Sequence, residues 1–320
     1  MKKRQVSDTG IYVTPLCFGT SPLGSMPDTY GYKVSEKLAV ITLKEILSSP
    51  VNFIDTSRNY GMGRSEERLG IAISESEDDV EDLVISTKLD RNMRTNRFDV
   101  SQARKSFEET LKALRVDRVP ILHLHDPEYA SDLNDITRKD GTLDFLFSLK
   151  REKLVDAVGL AMGRLEIMEP LVADYSFDVI INHNRYSILN RQADRLYDYA
   201  YSKGISIFNA APYAGGILAK GSCKTTKLVY QDATPQQLTP VYKIEQICKD
   251  YGIPVGAAAL QFSMRDQRIS STIVGISKPK RVKETLDWAN LNIPSAFWEE
   301  ITDFEFSLAD PEENRLYKPC

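Results

Sequence analysis

The stretch that decides the fold is VNFIDTSRNYG, residues 51–61. It opens as a buried strand and breaks into polar loop, with Asp55 where the apolar run stops and Tyr60 beside Gly61. The same junction recurs along the chain. LCFGT (16–20), LVISTK (83–88), VPILHLH (119–125), VDAVGLA (155–161), FDVIINHN (177–184), ISIFNA (205–210) and STIVGI (271–276) all read as short buried strands. Helical stretches separate them, among them residues 35–49, 101–115 and 193–204; in the second, Phe107, Leu111 and Leu114 mark one buried face. Strands alternating with helices predict parallel βαβ units. Closing eight of them gives a (β/α)8 TIM barrel, expected here as one domain over residues 1–320. An open doubly wound sheet is the alternative, but GTSPLGS (19–25) after the first strand is not the glycine fingerprint that such a sheet uses.

Ahead of the first strand, residues 2–6 and 11–15 flank SDTG and predict a β-hairpin closing the bottom of the barrel. Three intervals are long for plain connections: 25–35, 126–141 and 212–238. Each follows a strand's C-terminal end, the face where barrels build their sites, so they are expected to wall a pocket, together with the tail after about residue 305. Arg58, Tyr129 and Tyr213 are candidate wall residues.

Composition narrows the function classes. A net charge of −4 argues against nucleic acid or an anionic membrane as the main partner. No apolar run reaches the roughly 18–20 residues of a bilayer span, and MKKRQVSDTG has no apolar stretch behind its basic residues. Cys17, Cys223, Cys248 and Cys320 lack CxxC spacing and read as reduced thiols, which predicts a cytoplasmic protein.

Strand alternation places the polar residues. Phe53 and Asp55 share a face, as do Val84, Ser86 and Lys88, and Ile121, His123 and His125. Three successive strands therefore end in Asp55, Lys88 and His125, aimed inward at one rim, with Tyr60 on the loop after the first. A tyrosine of pKa about 10 trades protons poorly near neutrality. A lysine beside it is expected to favour the phenolate, a carboxylate to hold that lysine, and a histidine to orient a substrate oxygen. Such a device suits carbonyl reduction or alcohol oxidation. Taken singly, Asp55 could cap a turn, Lys88 could be solvated, Tyr60 could pack in a loop and His125 could be an ordinary barrel histidine. Their coincidence on three consecutive strands favours the site.

NFIDTSRNYGMGRSEERLGIAI, ISTK and HLHDPE together resemble the signatures of the aldo-keto reductase superfamily, and the likeness covers nearly the whole chain. The resemblance implies a barrel that binds NAD(P)(H) without a Rossmann fold. It makes Tyr60 the general acid/base, Asp55 and Lys88 its tuning pair, and His125 the residue that orients the substrate. It places Gly19 and Thr20 at the first strand's end, and Tyr213, Gly215, Gly216 and Leu218 of APYAGGILAKG along the pyrophosphate. His183 stands where the family has a carboxamide-binding glutamine; Ala161-Met162 replaces a usual Ser-Asn, and Ala210 a ring-stacking tyrosine. These departures resemble the branch of D-threo-aldose (L-fucose), L-galactose and pyridoxal 4-dehydrogenase-like enzymes, which implies oxidation of an aldose at C1 to its lactone, or reduction of an aldehyde or ketone.

ISKPKRVKETLDW opens the last barrel helix with Lys278, Lys280, Arg281 and Lys283 at a terminus that already favours anions. Arg281 lies where the family contacts the adenosine 2′-phosphate, which favours NADP over NAD; a solvated basic helix start is the plain alternative. Two other function classes remain. His123-x-His125 with Glu128 resembles a barrel metal-hydrolase motif, although the expected reading has no metal. A non-catalytic nucleotide-sensing subunit is the other, as some members of the superfamily serve.

Overall fold

Residues 2–13 fold back on themselves before the barrel starts. Strand β1 (Arg4–Gln5) pairs antiparallel with β2 (Tyr12–Val13), and Val6 and Val13 plug the lower end of the barrel. Ser7 N–H donates to Ser206 Oγ at 2.8 Å and Thr14 N–H to Asn52 Oδ1 at 2.9 Å, tying the hairpin to the barrel floor. The computed structural model describes residues 1–77 and 80–314.

The barrel strands are β3 (Leu16–Gly19), β4 (Phe53–Asp55), β5 (Val84–Leu89), β6 (Val119–His125), β7 (Val155–Met162), β8 (Val179–His183) and β9 (Ser206–Ala210). A short hairpin, β10 (Lys227–Leu228) with β11 (Gln231–Asp232), follows, and β12 (Ile269–Gly275) closes the ring between β9 and β3. All eight barrel strands pair in parallel, as the recurring strand-to-loop junctions predict. Two apolar layers result. Cys17, Phe53, Val84, Ile121, Val179 and Phe208 fill the inside, while the opposite face of the strands packs on the helices through residues such as Phe18, Ile54, Leu122 and Leu124. This is the period-two alternation of a strand buried on both sides.

Local sequence sets the helix boundaries. Ser35 caps the helix Glu36–Leu47 by accepting from Leu38 N–H, and Asp99 caps Val100–Leu114 by accepting from Gln102 N–H. In the second helix Phe107 and Leu114 are buried and Leu111 lies at the edge of the face. The three long intervals carry short elements of their own: Pro27–Tyr30, Asn134–Thr137, and Ile217–Lys220 followed by the β10–β11 hairpin. Cys17, Cys223 and Cys248 are free thiols, and Cys320 lies outside the described residues. Among the described residues no helix is long and apolar enough to cross a membrane.

Candidate active site

At the C-terminal end of the barrel the apolar interior gives way to a buried ionic chain. Parallel register sets Asp55 beside Ser86, and Lys88 beside His123. Lys88 Nζ donates to both Asp55 oxygens at 2.8 and 2.9 Å and to the Thr56 carbonyl at 2.6 Å, with both side chains almost fully buried. Ser86 Oγ donates to Asp55 Oδ1 at 3.1 Å and meets His123 Nε2 at 2.9 Å. Burial, then the charges of Lys88 and His125, hold His123 well below the ordinary imidazole range, so it is neutral.

Tyr60 comes in over this chain from the loop after β4. Gly61 holds that loop down: at φ +66°, a Cβ there would lie 1.9 Å from the Gly24 carbonyl oxygen. Lys88 Nζ sits 4.9 Å from the Tyr60 ring centroid, and the His125 ring stands edge-on at 5.9 Å and 86°. The expected lowering of the phenol does not occur. Burial raises Tyr60 well above its ordinary value, and Asp55, Tyr30, Asp126 and Asp90 push the same way. Lys88 Nζ is hydrogen-bonded to Asp55 and to the Thr56 carbonyl, and Tyr60 stays a neutral phenol.

Sequence reading missed Asp90. Its Oδ1 lies 2.5 Å from His125 Nδ1, while its Oδ2 accepts from Ser57 Oγ at 2.6 Å and Asn59 N–H at 2.9 Å. Burial pushes the Asp90 carboxyl up, but the charge and hydrogen bond of His125, the Ser57 hydroxyl and the Asn59 N–H together hold it below the usual range. Asp90 thereby fixes the His125 ring and leaves Nε2 to the cavity. The signal was present: Val84, Ser86 and Lys88 alternate inward, and the next step is Asp90.

Beside these groups lies a cavity of about 830 Å³. Gly19, Asp55, Tyr60, Lys88, His125, His183, Tyr213, Gly215, Gly216, Lys278 and Arg281 all line it. Lys33, Lys220, Lys224 and Lys280 add to a cationic rim. Arg281 pairs with Glu284 at 2.6 Å and stacks over Trp288. The three long loops supply walls, through Tyr30, Tyr129 and Tyr230 among others.

Three expected residues stand elsewhere. Thr20 is buried beneath the wall, its hydroxyl donating to the Asp55 carbonyl at 3.0 Å, and Leu218 points into the outer core, because both face the packed layer. Arg58 turns away to Glu66, Glu67 and Glu109 at 3.3, 3.8 and 3.7 Å and is no wall residue. Glu66 is fully buried, accepting from Thr87 Oγ1 at 2.6 Å and Thr110 Oγ1 at 2.9 Å, and burial pushes its carboxyl up to about 7. The metal-hydrolase reading loses its ligand set. His123 is committed to Ser86, His125 to Asp90, and Glu128 accepts from Gly163 N–H at 2.9 Å ahead of the helix Leu165–Asp174. Among the described residues no cluster of three or more His, Cys, Asp or Glu is placed to hold a metal ion.

Comparison with known proteins gives the same frame. A holo-form aldo-keto reductase from Bacillus halodurans superposes with a TM-score of 0.75 at 21% identity, over 99% of this chain and 100% of that one. A Gluconobacter oxydans glycerol dehydrogenase also gives 0.75 at 20% identity, over 95% and 94%. In sequence, L-galactose dehydrogenase of Arabidopsis thaliana is 32% identical over 88% of this chain and 86% of its own. Pyridoxal 4-dehydrogenase of Microbacterium luteolum is 27% identical (93% and 95%), and D-threo-aldose 1-dehydrogenase of a Pseudomonas species 25% (92% and 94%). With the sequence model of the Aldo/keto reductase family matching residues 15–305, this chain belongs to that family and is an NAD(P)-dependent oxidoreductase.

Proposed function

We propose that the protein oxidises an aldose at its anomeric carbon to the lactone, with NADP favoured over NAD. One observation carries this reading: Tyr60, Lys88 and His125 meet in a cavity that Lys278, Lys280 and Arg281 also line. The residues present fit a dinucleotide. Lys278 and Arg281, at the start of the helix Pro279–Ala289, suit a 2′-phosphate. Gly215, Gly216 and Lys220 suit the pyrophosphate, with Gly19 and Tyr213 on the adjoining wall. Asn184 also lines the cavity, and its Oδ1 is buried without a hydrogen-bond partner, an acceptor in want of a donor such as a carboxamide NH2.

When bound, the nicotinamide supplies the two-electron acceptor or donor, exchanging hydride with the substrate carbon. The chain does the rest. His125 Nε2 orients the substrate oxygen, with Asp90 holding the ring from behind. Tyr60 gives a proton to that oxygen in the reductive direction and takes one from it in the oxidative direction. Lys88, held by Asp55, places a positive charge against the ring and stabilises the phenolate whenever it forms. Because Tyr60 rests neutral with a raised pKa, reduction proceeds at neutral pH, whereas oxidation gains rate as pH rises and the phenol ionises. The names of the relatives support a sugar or a hydroxylated aldehyde as substrate.

The test is a spectrophotometric panel of aldoses, pyridoxal and simple aldehydes with NAD and NADP, in both directions. Aldose oxidation that rises with pH and prefers NADP is the expected result. Turnover of aldehydes alone makes the protein a general carbonyl reductase. Nucleotide binding without turnover across the panel makes it a nucleotide-sensing subunit.

A further inference from the structure

The C-terminal segment enters the site from behind β8. Ser307 pairs through its backbone with Leu189 and Arg191, the Ala309 carbonyl accepts from Asn190 Nδ2 at 2.9 Å, and the Pro311 carbonyl accepts from Gln231 Nε2 at 3.3 Å. This run delivers two carboxylates to Arg185, which is 1% exposed. Its Nη2 donates to Asp310 Oδ1 at 2.6 Å and its Nη1 to Glu312 Oε2 at 2.9 Å. The same Glu312 oxygen lies 3.0 Å from His183 Nδ1. Space is reserved for both side chains: a Cβ on Gly163 would lie 2.6 Å from Arg185 Nη1 and 2.9 Å from His183 Cε1.

We propose that Glu312 is a positioning residue: by accepting from His183 Nδ1 it turns Nε2 into a charge-assisted donor for the carboxamide oxygen of a nicotinamide cofactor. The inference rests on the nucleotide-linked reading above. It accounts for the apolar residues nearby, since Ala161, Met162 and Ala210 line the cavity and offer no side-chain donor. One charged imidazole N–H is about twice as strong a donor as a neutral group.

The groups facing His183 are Glu312 from the tail, Arg185 from its own loop, and Asp126 and Glu128 from the segment after β6, while Asp310 from the tail pairs with Arg185. Burial and Arg185 push the imidazole down; the charge and hydrogen bond of Glu312, with Asp126, push it up and prevail. A raised value keeps the charged ring below it and loses the charge as pH rises through it, so affinity for the cofactor falls on the alkaline side. Burial also lifts Glu128 to about 7, so a pH profile alone does not isolate His183.

The test is a mutant cycle read by NADPH fluorescence titration at about pH 6 and about pH 9, with the His183 ring followed by NMR. Glu312→Gln should weaken NADPH binding about tenfold at the lower pH, one charge-assisted hydrogen bond's worth, and lower the His183 titration. His183→Gln should keep only the smaller pH dependence that Glu128 supplies, and Glu312→Gln added to it should change nothing further. Asp310→Asn, which removes the other carboxylate on Arg185 and leaves the Glu312–His183 contact in place, should leave NADPH affinity within about twofold of wild type. An equal loss from Asp310→Asn, or from Glu312→Gln in the His183→Gln background, makes the tail a mere anchor and overturns the proposal. So does a Glu312→Gln protein with unchanged affinity and titration. A wild-type protein that binds neither NADPH nor NADH overturns the nucleotide reading itself.

Discussion

The two ends of the barrel interior are built by the same strands in opposite chemistry. At the lower end Phe53, Val84 and Ile121 pack with Val13 and Phe208, and Phe53 meets Phe208 at 4.8 Å between ring centroids. Two to four residues further along, the inward positions become Asp55, Ser86, Lys88, His123 and His125. The lower end gains from the removal of apolar area from water. The upper end holds charges out of water, and that is tolerable only because each charge is paired and hydrogen-bonded. One end stabilises the frame; the other uses that stability to hold groups where solvent would otherwise scatter them.

Substitutions at the two ends should therefore fail in different ways. The largest effect is expected from Lys88→Met, which strands the Asp55 carboxylate in the interior. Unfolding by denaturant should show a loss of about 3–5 kcal/mol, as for other broken buried pairs, and kcat should fall at least about 100-fold. Phe53→Ala at the lower end should lose a similar about 3–5 kcal/mol. Steady-state kinetics at a temperature where it stays folded should give a wild-type KM and kcat, and a kcat loss like that of Lys88→Met would erase the contrast.

A third substitution tests burial of charge outside the barrel. Glu66, pushed up to about 7, binds its proton more tightly folded than unfolded. Its contribution to stability is complete below about pH 4.5 and is lost as pH rises through about 7. Across that window wild type should lose stability relative to Glu66→Gln, whose side chain stays neutral; a flat difference refutes it. The smallest effect is expected from Ser86→Ala, which removes the link between His123 and Asp55 at a cost of about 1 kcal/mol. Calorimetry resolves it, and a loss as large as that of Lys88→Met would mean the chain acts as one unit.

Most of the frame was legible because period-two alternation and helical spacing are local. Each of the eight strands lies on one of the short apolar runs, and Asp55, Lys88 and His125 follow from parity alone. What the sequence hid depends on distant contacts. Asp90 falls one step beyond the strand pattern and acquires meaning only through His125 and Ser57. Arg58 reads as a wall residue until Glu66 and Glu109, on two different helices, draw it away. The raised Tyr60 phenol follows first from its burial and then from Asp55, Tyr30, Asp126 and Asp90 gathered around it, which no spacing encodes. The pairing of Glu312 with His183 joins residues 129 positions apart in the chain and is invisible before folding.

The central claim is that Tyr60 handles the proton, with Lys88 stabilising its charge and His125 orienting the substrate oxygen. Single-turnover kinetics of Tyr60→Phe, with cofactor affinity measured alongside, tests it most directly. The account predicts an unchanged Kd for the cofactor and a hydride-transfer rate lowered about 10²–10⁴-fold. A hydride-transfer rate close to wild type, with the protein folded and the cofactor bound, would contradict it.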